Sequence, residues 1–226
     1  MVAVRENLME IQADIEQAAE KAGRNKEDIH IIAVTKYVTI ERAQEAVSAG
    51  VTNLGENRDE GFLAKYKELR DRACWHFIGS LQSRKVKDII HHVDYIHSLD
   101  RYSLAKEINK RSQKTVPCFV QVNVSGEESK HGLAEEEVES FIKDLAALEH
   151  IRVVGLMTMA PHVDNPEDTR PLFKKMRLLR DHIQKQNFHH APCDYLSMGM
   201  SNDYQVAVEE GATHIRIGTR LVGKEF

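Results

Sequence analysis

Apolar residues recur along the chain first at helical and then at strand spacing, and the two patterns alternate. Across 4–22 the apolar positions are three or four residues apart, which predicts a helix with one buried face that ends at Gly23. The next run, 29–34, is short, apolar and rich in β-branched residues. Such a run is typical of a parallel strand buried on both faces.

This pairing of a helix with a strand repeats to the end of the sequence. The predicted strands are 29–34, 52–55, 75–78, 95–98, 116–124, 153–156, 195–197 and 214–217. The helices predicted after the first one are 41–49, 58–70, 83–91, 101–112, 135–148, 166–186 and 202–210.

Alternating strands and helices imply an α/β fold with a parallel sheet covered by helices. Eight strands fit a closed (β/α)8 TIM barrel, and an open doubly wound sheet is the alternative. The strand number and the lack of an early glycine-rich fingerprint favour the barrel. We therefore expect residues 1–226 to form one barrel domain with an extra N-terminal helix.

Composition excludes several classes of protein. The 31 basic and 35 acidic residues give a net charge of −4, unlike the strongly basic domains that bind nucleic acid. No apolar stretch approaches the roughly 18 residues of a membrane span, and the acidic N-terminus is unlike a signal peptide. Cys74, Cys118 and Cys193 are odd in number and widely spaced. We expect a cytoplasmic protein with reduced thiols and with no nucleic-acid or membrane partner.

Active residues of such barrels lie at the carboxyl ends of the strands. Lys36 follows the first strand, where a desolvated amine can act as a Schiff-base nucleophile; the alternative is a solvated loop lysine. Asn57 follows the second strand and is either a ligand contact or the N-cap of a helix.

Hydroxyl and glycine residues follow the last two strands, where barrels frequently bind phosphate. Ser201 stands where a helix is expected to begin, and Gly218 precedes Thr219. These residues predict an anion site, the alternative being an N-cap and a tight turn. Arg216 alternates with two isoleucines and should face the barrel interior, either in an ion pair or near a ligand ring. The twelve histidines show no metal-ligand spacing, and we expect no metal site.

Six ordered segments together resemble the YggS/PROSC family of pyridoxal phosphate homeostasis proteins. They read AVTK at 33–36, LGEN at 54–57, HFIGSLQ at 76–82, GLMTM at 155–159, LSMGMS at 196–201 and RIGTR at 216–220. The resemblance spans nearly the whole chain. It implies a fold-type-III barrel like the N-terminal domain of alanine racemase, with pyridoxal 5'-phosphate as cofactor.

The resemblance also implies roles for individual residues. Lys36 would form the internal aldimine, and Arg216 would face the pyridine nitrogen. Asn57 would lie near the cofactor. The phosphate contacts would be Ser201, Gly218 and Thr219. This chain departs from the family pattern at two positions in the third loop, since Ser80 replaces a usual proline and Arg84 a usual asparagine.

Three functions are compatible with these residues. The first is intracellular pyridoxal phosphate homeostasis by a monomer that buffers the cofactor and delivers it to apoenzymes without robust catalysis. The second is an amino-acid racemase, whose second base is a tyrosine from a separate domain of the partner subunit; we expect that domain to be absent here. Tyr37 and Tyr204 are the candidate substitutes. The third is a Schiff-base aldolase acting on a sugar phosphate. For a carrier we expect the cofactor phosphate to be well held and its reactive face to be exposed.

Overall fold

Eight parallel strands close into a barrel in the computed structural model, which describes residues 3–127 and 131–225. Each strand pairs with the next in sequence, and the last pairs with the first. The fold is therefore the predicted TIM barrel and not the open doubly wound sheet. The strands are β1 (His30–Val34), β2 (Asn53–Glu56), β3 (Cys74–Phe77), β4 (Tyr95–Leu99), β5 (Val116–Gln121), β6 (Ile151–Met157), β7 (Tyr195–Met200) and β8 (His214–Ile217).

Helices cover the outside of the barrel, and most lie where the periodicity predicts them. They are α1 (Val4–Lys21), α2 (Ile40–Ala49), α3 (Asp59–Leu69), α4 (Val86–Ile89), α5 (Tyr102–Arg111), α6 (Val138–Asp144), α7 (Arg170–Lys185), α8 (Tyr204–Glu209) and α9 (Thr219–Val222). The sequence pattern missed α9, a single turn directly after β8. None of the helices in 3–127 and 131–225 is long and apolar enough to cross a membrane.

The largest differences from the predicted elements have local causes. The strand predicted at 116–124 ends at Gln121, because the next residues turn to pair with Leu133, whose carbonyl accepts from the Asn123 N–H. The helix predicted at 135–148 is α6 flanked by 3-10 turns at Glu135–Glu137 and Leu145–Ala147. The helix predicted at 83–91 is likewise a 3-10 turn followed by the short α4.

The N-terminal helix α1 is part of the barrel wall. Its buried face packs against α8, α9 and α2, so it occupies the position that a full helix after β8 would have. Asp14 on α1 accepts hydrogen bonds from the Tyr204 hydroxyl and from Arg220, at 2.7 Å for the arginine. The extra helix thus completes the outer ring in place of the one-turn α9.

The main hydrophobic core lies between the strands and the surrounding helices. Inside the barrel, rings replace much of the branched aliphatic packing that is usual in this fold. His97 stacks on Phe119 with ring centroids 4.2 Å apart, and His76 stacks on Tyr95 at 4.8 Å. His214 meets Phe119 edge-on at 5.2 Å. The interior is consequently aromatic and partly polar.

Gly199 allows β7 to lie very close to α8. Its φ is +92°, and a Cβ atom at this position would be 2.6 Å from the Cβ of Ala207 and 3.1 Å from the Cα of Tyr204. Gly50, with a φ of +112°, has no atom within 4 Å of such a Cβ. The two glycines share the left-handed backbone, and only Gly199 has the close contact.

We expect Gly199→Ala to lower the free energy of unfolding by about 2–5 kcal/mol, since a left-handed alanine costs about 1–2 kcal/mol and overpacking about 1–3 kcal/mol. Gly50→Ala is the control and should lose only the backbone contribution of about 1–2 kcal/mol. Urea unfolding followed by circular dichroism measures both changes. Equal losses of unfolding free energy in the two variants would show that β7 and α8 can move apart to accommodate the added methyl group without destabilising the fold.

Candidate functional site

The strand order brings the predicted site residues to one half of the barrel mouth. Strands β7, β8, β1 and β2 are consecutive around the barrel, and each carries at least one predicted residue at or after its carboxyl end. Met200 is in register with Arg216, and Ala33 with Ile217. Segments that lie far apart in the sequence therefore leave the sheet side by side. The residues grouped in this way are Lys36, Asn57, Ser201, Arg216, Gly218 and Thr219.

Lys36 lies in a loop that is fixed at several points. The Tyr37 carbonyl accepts from the Glu225 N–H at 3.0 Å, and the Glu225 carboxylate accepts from the Thr39 N–H at 2.7 Å. The Thr39 hydroxyl in turn caps α2 by accepting from the Arg42 N–H. Lys36 itself is half-buried, with Nζ 4.8 Å from the centroid of the exposed Tyr37 ring. The loop thus holds one amine at the barrel mouth.

A buried group of three residues supports this loop from below. The Thr35 hydroxyl donates to Glu56 Oε1 at 2.6 Å, and Lys65 Nζ on α3 lies 2.9 Å from the same oxygen. None of the three is more than 5% exposed. Glu56 and Lys65 are not among the predicted site residues, although a glutamate at the end of an apolar strand was a visible signal. The group joins the end of β1 to β2 and α3.

Asn57 does not cap a helix, contrary to the simpler of its two sequence interpretations. The N-cap of α3 is Arg58, and its side chain makes no capping bond. Asn57 is half-buried and packs so closely on Gly79 that a Cβ there would lie 2.4 Å from its carbonyl oxygen. It lines a polar cavity of about 350 Å³ together with Ser80 and Arg84, the two positions that depart from the family pattern.

Ser201 is not an N-cap either, because α8 begins later than the sequence predicts. The N-cap of α8 is Asp203, and Ser201 lies in the turn before it, half-buried. The Asp203 carboxylate accepts from the Met200 N–H at 2.6 Å. Burial raises the pKa of Asp203, while this N–H and Arg216 act in the opposite direction. The Asn202 amide also donates to the Val163 carbonyl at 3.0 Å, which joins the turn to the loop after β6.

Gly218 forms both a turn and the start of a helix. It is the N-cap of α9, and its carbonyl accepts from the N–H groups of Leu221 and Val222 at 2.8 and 2.9 Å. Thr219 is the first helical residue and is exposed. The first N–H groups of a helix have no partner within it and attract anions. This strand end therefore provides N–H groups and a hydroxyl beside Ser201.

Arg216 lies inside the barrel, as the alternation in β8 predicts. It is 4% exposed, and it donates from Nη1 to Ser197 Oγ at 2.6 Å and from Nη2 to the Thr158 carbonyl at 2.8 Å. Among 3–127 and 131–225 no carboxylate lies within ion-pair distance of it, so the predicted alternative of a direct ion pair is wrong. Burial lowers the pKa of Arg216 to about 10, and Asp203 opposes this shift.

These groups at the barrel mouth suit a ligand that carries an aldehyde, a phosphate and a further hydrogen-bond acceptor. Lys36 offers an amine, and the ends of β7 and β8 offer hydroxyl and N–H donors for a phosphate. Two of the five N–H groups of Arg216 are used by Ser197 and Thr158. The other three have no acceptor among the residues that the structure describes. These remaining N–H groups of the buried Arg216 are suited to donate to a hydrogen-bond acceptor of a ligand bound at the barrel mouth.

Two further sequence expectations concern tyrosines and histidines. Tyr37 is 48% exposed at the mouth, whereas Tyr204 is buried and its hydroxyl donates to Asp14 on α1. Tyr204 is therefore not available as a base in the barrel mouth. No cluster of three or more potential metal ligands occurs in the part of the chain that the structure covers.

The sequence of this chain matches a protein family and a related protein of known name. Residues 3–225 match the protein family described as "Alanine racemase, N-terminal domain". A pyridoxal phosphate homeostasis protein of Aquifex aeolicus is 43% identical over 223 residues, which cover 97% of each chain.

Two solved structures superpose closely on the chain. An unknown protein from Bifidobacterium adolescentis is 32% identical, with a TM-score of 0.92 over 97% of this chain and 94% of that chain. PipY of Synechococcus elongatus PCC7942, solved with PLP bound, is 31% identical, with a TM-score of 0.80 over 93% of this chain and 100% of that chain.

The buried Glu56–Lys65 pair leads to a stability prediction. We expect Lys65→Met to lower the free energy of unfolding by about 3–5 kcal/mol, because it leaves a buried carboxylate without its cation. Lys67→Met on the exposed side of the same helix is the control and should change it by less than about 0.5 kcal/mol. Urea unfolding measures both. A loss at Lys65 as small as the loss at Lys67 would contradict the proposed support of the Lys36 loop.

Proposed function

The chain belongs to the YggS/PROSC family of pyridoxal phosphate homeostasis proteins, and we propose that it binds pyridoxal 5'-phosphate and serves in the homeostasis of that cofactor. The observation that carries the proposal is the convergence of Lys36 with Ser201, Gly218 and Thr219 on adjacent strand ends of one barrel mouth. The names of the relatives and the PLP bound to PipY support the same ligand.

Lys36 is the residue that we propose to hold the aldehyde end of the cofactor. When bound, pyridoxal phosphate supplies an aldehyde that condenses reversibly with a primary amine. The hydrogen bonds of Glu225 to Tyr37 and Thr39 fix the loop that carries this amine. The Thr35–Glu56 bond fixes the strand end just before it. Both restraints keep the amine at one place without burying it fully.

The phosphate end is proposed to lie against Ser201, Gly218 and Thr219. Ser201 and Thr219 carry hydroxyls after the neighbouring strands β7 and β8, and the first N–H groups of α9 have no partner within this one-turn helix. Hydrogen bonds to a charged group are stronger than those between neutral groups. We therefore propose that this contact retains the cofactor while its other end reacts and exchanges.

Arg216 is proposed to face the pyridine nitrogen, with Asn57 at the rim nearby. A fixed cation beside this nitrogen disfavours its protonation, since like charges repel. An unprotonated ring is a weaker electron sink, on which most carbanion chemistry of this cofactor depends. The site is therefore better suited to carrying the cofactor than to transamination.

Exposure at the mouth supports a role in exchange. Tyr37 and Thr219 are exposed, and Lys36 and Asn57 are only half-buried. Enzymes that protect reactive intermediates close their sites against water, whereas a carrier needs its cargo to enter and leave. We propose that the protein acts as a cytoplasmic monomer that buffers pyridoxal phosphate and delivers it to apoenzymes, without robust catalysis of its own.

Reductive labelling tests the proposed binding lysine. After incubation with pyridoxal phosphate and borohydride, we expect the parent to retain a covalently fixed chromophore at Lys36 and Lys36→Ala to retain none. Lys224→Ala is the matched control, because Lys224 lies over the same Tyr37 ring, 5.7 Å from its centroid, and should leave the label intact. Absorbance and peptide mass spectrometry give the readout. An unlabelled parent, or a label on another lysine, would reject the assignment.

The same variants test delivery. Loaded Lys224→Ala should restore activity to an apoenzyme that requires pyridoxal phosphate, whereas Lys36→Ala carried through the same loading and desalting should not. Incubation of the loaded protein with one enantiomer of alanine provides the enzymatic alternative. Racemisation at an enzymatic rate would replace the carrier proposal by the racemase one.

The phosphate contact is tested with two ligands. We expect Ser201→Ala to weaken binding of pyridoxal phosphate about tenfold, the loss of one hydrogen bond to a charged group. Pyridoxal, which lacks the phosphate, should bind the parent and the variant equally. Dissociation constants from absorbance titrations compare the two. A parallel loss for both ligands would place Ser201 away from the phosphate.

A further inference from the structure

A line of hydrogen bonds crosses the barrel interior, starting at Arg216. The guanidinium contacts Ser197 Oγ on β7, and this oxygen lies 2.9 Å from Nδ1 of His97 on β4. His97 Nε2 is 2.9 Å from Nδ1 of His76 on β3. His76 Nε2 is 3.0 Å from Oδ1 of Asn53 on β2. Five strands thus contribute one side chain each to a continuous chain.

The two ends of this row of hydrogen bonds, Arg216 and the Asn53 amide oxygen, together with one hydrogen per ring, set the direction of every bond. An arginine only donates, so the Ser197 oxygen accepts from Arg216 and its hydroxyl hydrogen is free to donate to His97 Nδ1. His97 then carries its hydrogen on Nε2 and donates to His76 Nδ1. His76 likewise carries its hydrogen on Nε2 and donates to the Asn53 carbonyl oxygen.

The hydrogen bonds of Asn53, at the other end of this row, agree with this direction. The Asn53 amide nitrogen donates to the Thr52 hydroxyl at 3.0 Å, which leaves the amide oxygen as the acceptor for His76. Each ring therefore needs one hydrogen, on Nε2, to satisfy both of its neighbours. A ring with its hydrogen on Nδ1 would place two donors or two acceptors against each other.

Burial keeps both rings neutral. His76 and His97 have no exposed surface. Burial lowers the pKa of His76 to about 3, and neighbouring His30 acts in the same direction. Burial also lowers the pKa of His97 well below its usual value, with further contributions from His76, His214 and Arg216. One hydrogen per ring is therefore the state at neutral pH, as the chain of bonds requires.

This row of hydrogen bonds compensates for the buried positive charge of Arg216. Arg216 has no carboxylate at ion-pair distance in 3–127 and 131–225, yet an isolated buried cation is unfavourable. A row of hydroxyl and imidazole dipoles with their negative ends toward the cation stabilises it, and hydrogen bonds in a row polarise and strengthen one another. The Ser197 oxygen accepts from Arg216 while its hydroxyl hydrogen donates to His97 Nδ1.

We propose that His97 and His76 are positioning residues for Arg216: as neutral rings with hydrogen on Nε2, they orient the Ser197 hydroxyl and thereby fix the direction of the free N–H groups of the guanidinium. The proposal rests on the proposed function, in which those groups face the ring nitrogen of pyridoxal phosphate. The two histidines then act on the bound cofactor without touching it.

The ring hydrogens are measurable in the cofactor-free protein. Long-range ¹H–¹⁵N correlation spectra of the imidazoles distinguish Nε2–H, Nδ1–H and doubly protonated rings, with His76→Gln and His97→Gln giving the assignments. We expect the Nε2–H pattern for both residues, unchanged between about pH 5 and 8. An Nδ1–H or a doubly protonated form of either ring would overturn the proposal. The ring hydrogens are read from the parent protein, and the two variants serve only to assign its signals.

Ser197→Ala and Ser98→Ala then separate positioning from packing. Both serines are buried on strands, but within the described residues the Ser98 hydroxyl has no hydrogen-bond partner. We expect Ser197→Ala to weaken pyridoxal phosphate binding about tenfold and to shift the absorption maximum of the bound cofactor, and Ser98→Ala to stay within about twofold with an unshifted maximum. Equal effects of the two substitutions would overturn the proposal.

Failure of the proposed function gives a different result. A parent that binds no pyridoxal phosphate would reject that function, and with it any effect of the histidines on the cofactor, whatever the ring spectra show. A parent that binds the cofactor but has an Nδ1–H ring would reject only the role of the two histidines.

Discussion

The pairing of β8 with β1 is the constraint on which the site depends. Four registered residue pairs, from His30 with His214 to Ala33 with Ile217, close the sheet. Only this closure brings the loop that carries Lys36 next to the turn at Gly218. Because β7 is already paired with β8, the same closure places Ser201 in the same half of the mouth. Lys36 and Gly218, about 180 residues apart in sequence, follow neighbouring strands because the closed sheet pairs β1 with β8.

The interior of this barrel combines packing with polarity in an uncommon way. Stacked rings fill the space that branched aliphatic residues usually occupy, and the same rings form hydrogen bonds edge to edge. Arg216 is held among them by Ser197 and Thr158, and no carboxylate of 3–127 or 131–225 forms an ion pair with it. Neutral dipoles reduce the positive charge of Arg216 less than a paired carboxylate would, and the Asp203 charge acts on it without an ion pair.

Much of the fold was predictable because each strand and helix has its own local pattern. The position of Lys36 at the barrel mouth followed from its place just after β1, and the inward direction of Arg216 followed from alternation along β8. The Glu56–Lys65 pair was not predictable, because it depends on how α3 packs over β2. The same holds for the His97–Ser197 contact, which joins β4 to β7 through the barrel interior, a hundred residues apart in sequence. Sequence periodicity specifies which face a residue occupies, but not which residue it meets there.

The position of α1 has a consequence for the order of folding during synthesis. This early helix can enter the ring only beside α8 and α9, and Asn7 bonds to the Leu221 carbonyl. The Lys36 loop is held by Glu225, which also leaves the ribosome late. A nascent chain therefore exposes an apolar helix, and carries an unrestrained lysine loop, until nearly all of the barrel has been translated. The loop that carries Lys36 is thus restrained only after all eight strands are complete.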